Sequence, residues 1–161
     1  MTSTSLFLGI ISAERRRTHA EVAERASRIA GGLQRLGVRQ GDSVCILMRN
    51  DIAFIEAAYA VALLGAYAVP VNWHFKPEEI DYILRDSGTS ALIGHADLLH
   101  QLREAIPSGV TVLSVPTPPE ILSTYKIDRS HLATPAGTAS RSWCSMSAWP
   151  ISTRVPESFR T

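Results

Sequence analysis

Hydrophobic and polar positions alternate between two periods along most of this chain. From Thr18 the period is helical: Val22, Ala26, Ile29, Leu33 and Leu36 share one face, with Glu24, Arg25, Arg28 and Arg35 off it. Thr18 and Glu21 have the spacing of a capping box, and Gly37 suits the left-handed position just beyond a helix end. "SVCILM" (Ser43–Met48) is a short apolar run that fits a strand buried on both faces. Asn50 or Asp51 can cap a second helix, Ile52 to Leu64, which is apolar nearly all round and is therefore expected to be substantially buried. "AYAVPVN" (Ala66–Asn72) reads as a second strand whose end or edge lies near Pro70.

The same alternation continues. Pro77 suits the first turn of a third helix, where Glu78 and Glu79 meet the positive end of the dipole and Asp81 and Arg85 form an i,i+4 pair. "ALIG" (Ala91–Gly94) is a third strand, "ADLLHQLREAI" (Ala96–Ile106) a fourth helix and "VTVLSV" (Val110–Val115) a fourth strand. Strands alternating with helices imply right-handed crossovers and a mainly parallel sheet with helices on both faces, an α/β fold. Beyond Pro116 the periods fade. Residues 1–16 form an N-terminal strand or loop, 17–115 the α/β unit, and 116–137 a Pro-containing, weakly ordered segment with one apolar patch at Ile121 and Leu122. Residues 138–161 carry two of the three Trp and six Ser with neither period. Such a string is expected of an out-of-frame or truncated end, or of a disordered tail, beginning near Gly137 to Ser140.

Composition narrows the function classes. The chain has 161 residues, 45% of them hydrophobic, and 16 basic residues against 15 acidic ones. Near-neutral charge gives no reason to expect nucleic acid as a partner. The run Arg15–Arg17 reads as a solvated edge. Two cysteines are too few for a disulfide framework, and the longest apolar run, Ala57–Val71, is broken by Gly65 and Pro70 and is too short for a membrane span. A cytoplasmic location is expected.

Candidate chemistry is thin. "DSGTSAL" (Asp86–Leu92) looks like a phosphate loop, but it lacks a second Gly and a Lys and follows the negative end of a helix. His95, Asp97 and His100 cluster in sequence and read as solvated rather than metal-binding. Trp73, His74 and Phe75 follow a strand's carboxyl end, where open α/β sheets place ligands, and are the one candidate ligand-edge loop. No catalytic, cofactor-binding or metal-binding residue is assigned.

The order of these pieces resembles the N-terminal part of the adenylate-forming (AMP-dependent synthetase/ligase) family. "RTHAEVAERASRIAGGLQRLGVRQGDSVCILMRND" is similar to that family's opening helix, "LGV-x-x-GD" turn and first sheet strand. "FIEAAYAVALLGAYAVPVNWHFKPEEIDYILRDSG" (Phe54–Gly88) resembles the next unit, and its "PVNWH" looks most like a bacterial acyl-CoA synthetase, a fatty-acid–CoA ligase. The resemblance implies ATP, Mg and CoA as cofactors of full-length relatives and a carboxylic, fatty acid as substrate. A carboxylate attacks the α-phosphate of ATP, and the CoA thiol then displaces AMP. The family's "SGTTGxPKG" phosphate loop and C-terminal catalytic Lys are not in this chain. It is therefore expected to bind none of these cofactors and to be inactive alone. The rival reading is a non-catalytic α/β interaction module. A sheet that lacks neighbouring strands should also expose an edge, so self-association is expected.

Overall fold

A computed structural model describes residues 8–102, 105–127 and 143–145. A hairpin comes first: β1 (Gly9–Ser12) pairs antiparallel with β2 (Arg15–Thr18), Ile10 opposite Arg17. There follow α1 (His19–Arg35), β3 (Ser43–Leu47), α2 (Ile52–Leu63), β4 (Tyr67–Pro70), α3 (Pro77–Asp86) and β5 (Thr89–His95). The described elements end with α4 (Ala96–His100), β6 (Thr111–Val115), α5 (Pro119–Thr124) and β7 (Trp143–Ser145).

Five strands form one sheet in the order β4-β3-β5-β6-β7, and every neighbouring pair is parallel. Strand alternation sorts the core into two layers. Val44 and Ile46 of β3, with Ala91 and Ile93 of β5, meet Ala26, Ile29 and Leu33 of α1 and Ala57, Ala60 and Val61 of α2. Cys45, Leu47 and Leu92 point the other way, against Ile80 and Leu84 of α3 and Leu98 and Leu99 of α4. The α/β fold with helices on both faces is thus the one the periods imply. Thr18 caps α1: its Oγ1 accepts from the Glu21 amide while the Glu21 carboxylate accepts from the Thr18 amide.

Three local readings change and one gains detail. α2 is substantially buried, as expected, through Ile52, Ala57, Ala60 and Val61, while Tyr59 and Leu63 on its outer side are 51% and 36% exposed. Its single acid, Glu56, turns inward instead, to meet Arg25. The fourth helix stops at His100. Beyond it, amide bonds from Gln101 to Leu98 and from Leu102 to Leu99 span three residues rather than four, a tighter winding that still buries Leu102 and Ile106. Within 116–137 the apolar patch is a short helix, α5, with Ile121 and Leu122 buried. Residues 143–145, inside the aperiodic tail, run parallel to β6 with Leu113 opposite Cys144. The remainder of the tail lies outside the described residues.

The sheet edge at β4 has no further strand beside it among the described residues, and Tyr67 there is 65% exposed. Pro70 ends β4 opposite Ile46, where its missing N–H matters least. No described helix is long and apolar enough to cross a membrane.

Candidate functional site at the carboxyl edge of the sheet

All the strands run the same way, so their carboxyl ends deliver successive loops to one edge. Arg49 and Asp51 follow β3, Trp73 follows β4, His95 ends β5, Asp97 opens α4, and Thr117 follows β6. These side chains form one buried polar cluster. Arg49 donates from a terminal guanidinium nitrogen to Asp97 Oδ2 at 2.6 Å, and Thr117 Oγ1 donates to Asp97 Oδ1 at 2.5 Å. The Arg49 guanidinium carbon also lies 4.8 Å from the ring centres of both Trp73 and Tyr125. A delocalised, weakly hydrated cation suits a place against two rings. Trp73 and Tyr125 themselves meet edge-on at 5.2 Å.

Asp51 joins the cluster from the start of α2. Its Oδ1 accepts from the Ile52 amide at 2.6 Å, which caps the helix, and also from Arg15. The Arg49 amide donates to His95 Nδ1 at 3.3 Å, so in the neutral imidazole the proton sits on Nε2. His95 Nε2 faces Asp51 Oδ2 at 3.7 Å, and neither atom has a closer partner. Burial pushes the Asp51 carboxyl upward, but His95, Arg15 and the Ile52 amide outweigh it and hold the group below the ordinary carboxylate value. Arg15 extends the chain of charges to Glu120 on α5.

The candidate loop sits against this cluster. Asn72 shapes it: its Oδ1 accepts from the His74 amide at 3.0 Å and its carbonyl from the Phe75 amide at 3.0 Å. Trp73 is half-buried against Arg49 and Tyr125, the His74 ring stacks on Trp73 with centres 3.5 Å apart, and Phe75 is exposed. The structure therefore joins Trp73 to a network that the sequence reading did not include. His95 and Asp97, read as solvated, are 0% and 3% exposed, while His100 is exposed. The missed signal was position: both lie where an apolar strand ends, which is buried ground. Among the described residues no group of three or more His, Cys, Asp or Glu could hold a metal ion.

The opposite edge accounts for Ser87-Gly88-Thr89-Ser90. Ser87 Oγ donates to the Ile83 carbonyl at 2.7 Å and lies 2.6 Å from Thr89 Oγ1. Thr89 Oγ1 is 2.9 Å from Cys45 Sγ, and Ser90 Oγ donates to the Ser43 carbonyl at 3.0 Å. These hydroxyls stitch β3 to β5. Burial pushes the Cys45 thiol pKa up despite those two hydroxyls, so the thiol stays protonated. Gly88 holds a φ of +58°, the left-handed turn out of α3. The two lysines of the chain, Lys76 and Lys126, follow no glycine-rich loop.

An open parallel sheet with its polar groups gathered at the carboxyl ends is a doubly wound α/β scaffold. The comparisons make this particular. Residues 5–143 match the AMP-binding enzyme family, and the chain belongs to it. It is 36% identical to a feruloyl-CoA synthase from Amycolatopsis sp over 111 residues, 65% of this chain and 23% of that one. It is 34% identical to a long-chain-fatty-acid–CoA ligase of Thermus thermophilus over 147 residues, 88% of this chain and 27% of the ligase. An o-succinylbenzoate coenzyme A synthetase from Bacillus subtilis, solved with ATP and magnesium ion, superposes with a TM-score of 0.60 at 29% identity. That match covers 66% of this chain and 28% of the synthetase. The chain spans about a quarter of the length of these relatives.

Proposed function

We propose that these residues act as a scaffold segment of an ATP-dependent acyl-CoA ligase with a carboxylic acid of the fatty-acid class as substrate. On their own they grip neither ATP, Mg nor CoA and turn nothing over. In the whole reaction an acyl-adenylate and pyrophosphate form first, and the thioester and AMP second. Such chemistry needs an amide cradle and a cation at the transferring phosphate. One observation carries the proposal: the carboxyl edge is filled from within. Arg49, the cation best placed there, is paired with Asp97 and lies against the rings of Trp73 and Tyr125. The Ser87–Ser90 hydroxyls likewise bond within the chain. What this segment contributes is the alignment of the loops on which a neighbouring active site would rest. A cytoplasmic setting fits, since ATP and CoA are supplied there and a buried thiol such as Cys45 stays reduced.

The test is an assay of pyrophosphate release by the purified 161-residue chain with ATP, Mg, CoA and a panel of fatty and aromatic acids. No release above the acid-free blank is expected. Acid-dependent release, or acyl-CoA formation, overturns the proposal.

A further inference from the structure

The segment from Thr117 to Tyr125, with α5 at its centre, crosses the carboxyl edge of the sheet. It touches what lies beyond β6, β5, β3 and β4, in the order in which those strands sit side by side. Thr117, just past β6, donates to Asp97, just past β5, at 2.5 Å. Glu120, in the first turn of α5, pairs with Arg15, which also holds Asp51 beyond β3. Tyr125, at the far end, meets the Trp73 ring beyond β4 edge-on at 5.2 Å and the Arg49 guanidinium at 4.8 Å. Four neighbouring strands span roughly 14 Å at a spacing of about 4.8 Å. The six residues of α5 rise about 9 Å, and the residues flanking them cover the rest.

α5 has little strength of its own. It is six residues long, too short to persist alone, and no side chain caps its N-terminus. Ser123 and Thr124 both turn their hydroxyls onto the Glu120 carbonyl, a local bond that competes with a regular helix. The helix closes on Lys126, whose φ of +51° is left-handed ground that a residue with a Cβ occupies under strain. Ile121 and Leu122 are buried, yet among the described residues they belong to neither of the two core layers. The Glu120 side chain and Tyr125 are 33% and 47% exposed, so water and salt reach both of these contacts. The Thr117–Asp97 bond, by contrast, is buried.

We infer that this segment is a strap over the carboxyl edge: α5 lifts away as a unit while both core layers stay folded. The buried Thr117–Asp97 bond is its fixed end, and the Glu120–Arg15 and Tyr125–Trp73 contacts are its two latches. Release of Tyr125 uncovers the Trp73 ring and one side of Arg49, at the edge where open parallel sheets meet their ligands. Access to that edge is thus set by the strap and not by the sheet. The motion is read without turnover, so a result against it leaves the ligase reading intact.

The test is native-state amide exchange on the full 161-residue chain. In the closed strap the amides of Leu122, Tyr125 and Ile127 donate to the carbonyls of Pro118, Ile121 and Leu122. They should be at least a hundredfold less protected than the amides of β5. Urea well below the unfolding midpoint should hardly change their rates, because a local opening exposes little surface. Glu120→Gln weakens one latch and should speed these three amides at least threefold. Lys126→Gly relieves the left-handed strain and should slow them by a similar factor. Neither variant should alter exchange in β5. Glu120 is partly exposed, so its variant is expected to fold, and Lys126→Gly gives an independent reading of opposite sign. Exchange of α5 and β5 at one rate, or a Glu120→Gln effect of equal size in both, overturns the inference. So does an α5 rate that neither variant moves.

Discussion

Replacing Arg49 by Met asks how much the buried latch at the carboxyl edge is worth. Met keeps most of the aliphatic stem but removes the charge, so Asp97 stays buried with only Thr117 donating to it. Removing one partner of a buried pair typically costs about 3–5 kcal/mol, because the other charge is left uncompensated. The two ring contacts at 4.8 Å are lost as well, each worth roughly 0.5–2 kcal/mol. Domains are usually stable by only about 5–15 kcal/mol, so the change removes a large part of the total. In urea, a loss of about 4 kcal/mol at a slope of about 2 kcal/mol per molar moves the midpoint down by about 2 M. Circular dichroism at the helix band follows the transition. The double variant Arg49→Met/Asp97→Leu removes both charges and should recover the charge penalty of about 3–5 kcal/mol, what stays lost being the two ring contacts and about 1 kcal/mol for the Thr117 hydroxyl left without its acceptor. An Arg49→Met loss below about 1 kcal/mol, or a double variant no better than the single one, refutes the reasoning.

Gly94→Ala should destabilise by about 1–3 kcal/mol in the same urea assay, since the added Cβ would lie 2.8 Å from Leu99 Cδ2 and 3.1 Å from the Leu47 carbonyl oxygen. An unchanged midpoint would show that α4 can shift freely. Asp51 has its folded pKa held below the ordinary value, so its contribution is present at neutral pH. It begins to fall away near the unfolded value of about 3.9 and is gone once the pH drops below the folded value. Asp51→Asn should therefore lower stability at pH 7 and flatten the acid limb of a stability–pH curve; a parallel shift of the whole curve would contradict that. Tyr67→Lys places a charge on the open β4 edge and should reduce concentration-dependent sedimentation, whereas unchanged association would place the contact elsewhere.

Much of the scaffold was legible because local signals and burial agree there. The Thr18–Glu21 box, the Val22-to-Leu33 stripe and the "SVCIL" run each carry one period, and each forms the element it encodes. Which face of α2 is the buried one was not legible, because a helix apolar nearly all round gives no contrast from which to infer it. Burial is then decided by how many neighbours the fold supplies. The length of α4 was misjudged because Leu98, Leu99, Leu102 and Ile106 can face the sheet in either a wide or a tight winding. The polar cluster was illegible for a different reason. Arg15, Arg49, Asp51, His95, Asp97, Thr117 and Glu120 are spread over more than a hundred residues, and no spacing links them. Parallel topology brings them to one edge, and only pairing makes charge tolerable there.

Why a chain should gather so many charges at one buried edge follows from what apolar packing cannot do. Leu, Ile and Val in the two layers supply burial, but many small shifts of a loop or of α5 would bury them nearly as well. An ion pair with fixed hydrogen bonds is less forgiving, and its net contribution to stability is small. Arg49 ties the end of β3 to α4, to the Trp73 loop and to Tyr125, while Arg15 ties the hairpin to α2 and α5. The cluster thus fixes where six segments sit relative to one another. That function separates from stability in the Arg49→Met/Asp97→Leu chain. If the charges serve alignment, that variant regains most of the urea midpoint lost in Arg49→Met, while amide exchange in the Trp73 loop and α5 runs tenfold or more faster than in the parent. Parent-like exchange in both segments would mean that shape alone aligns them, and the charges would then need another explanation.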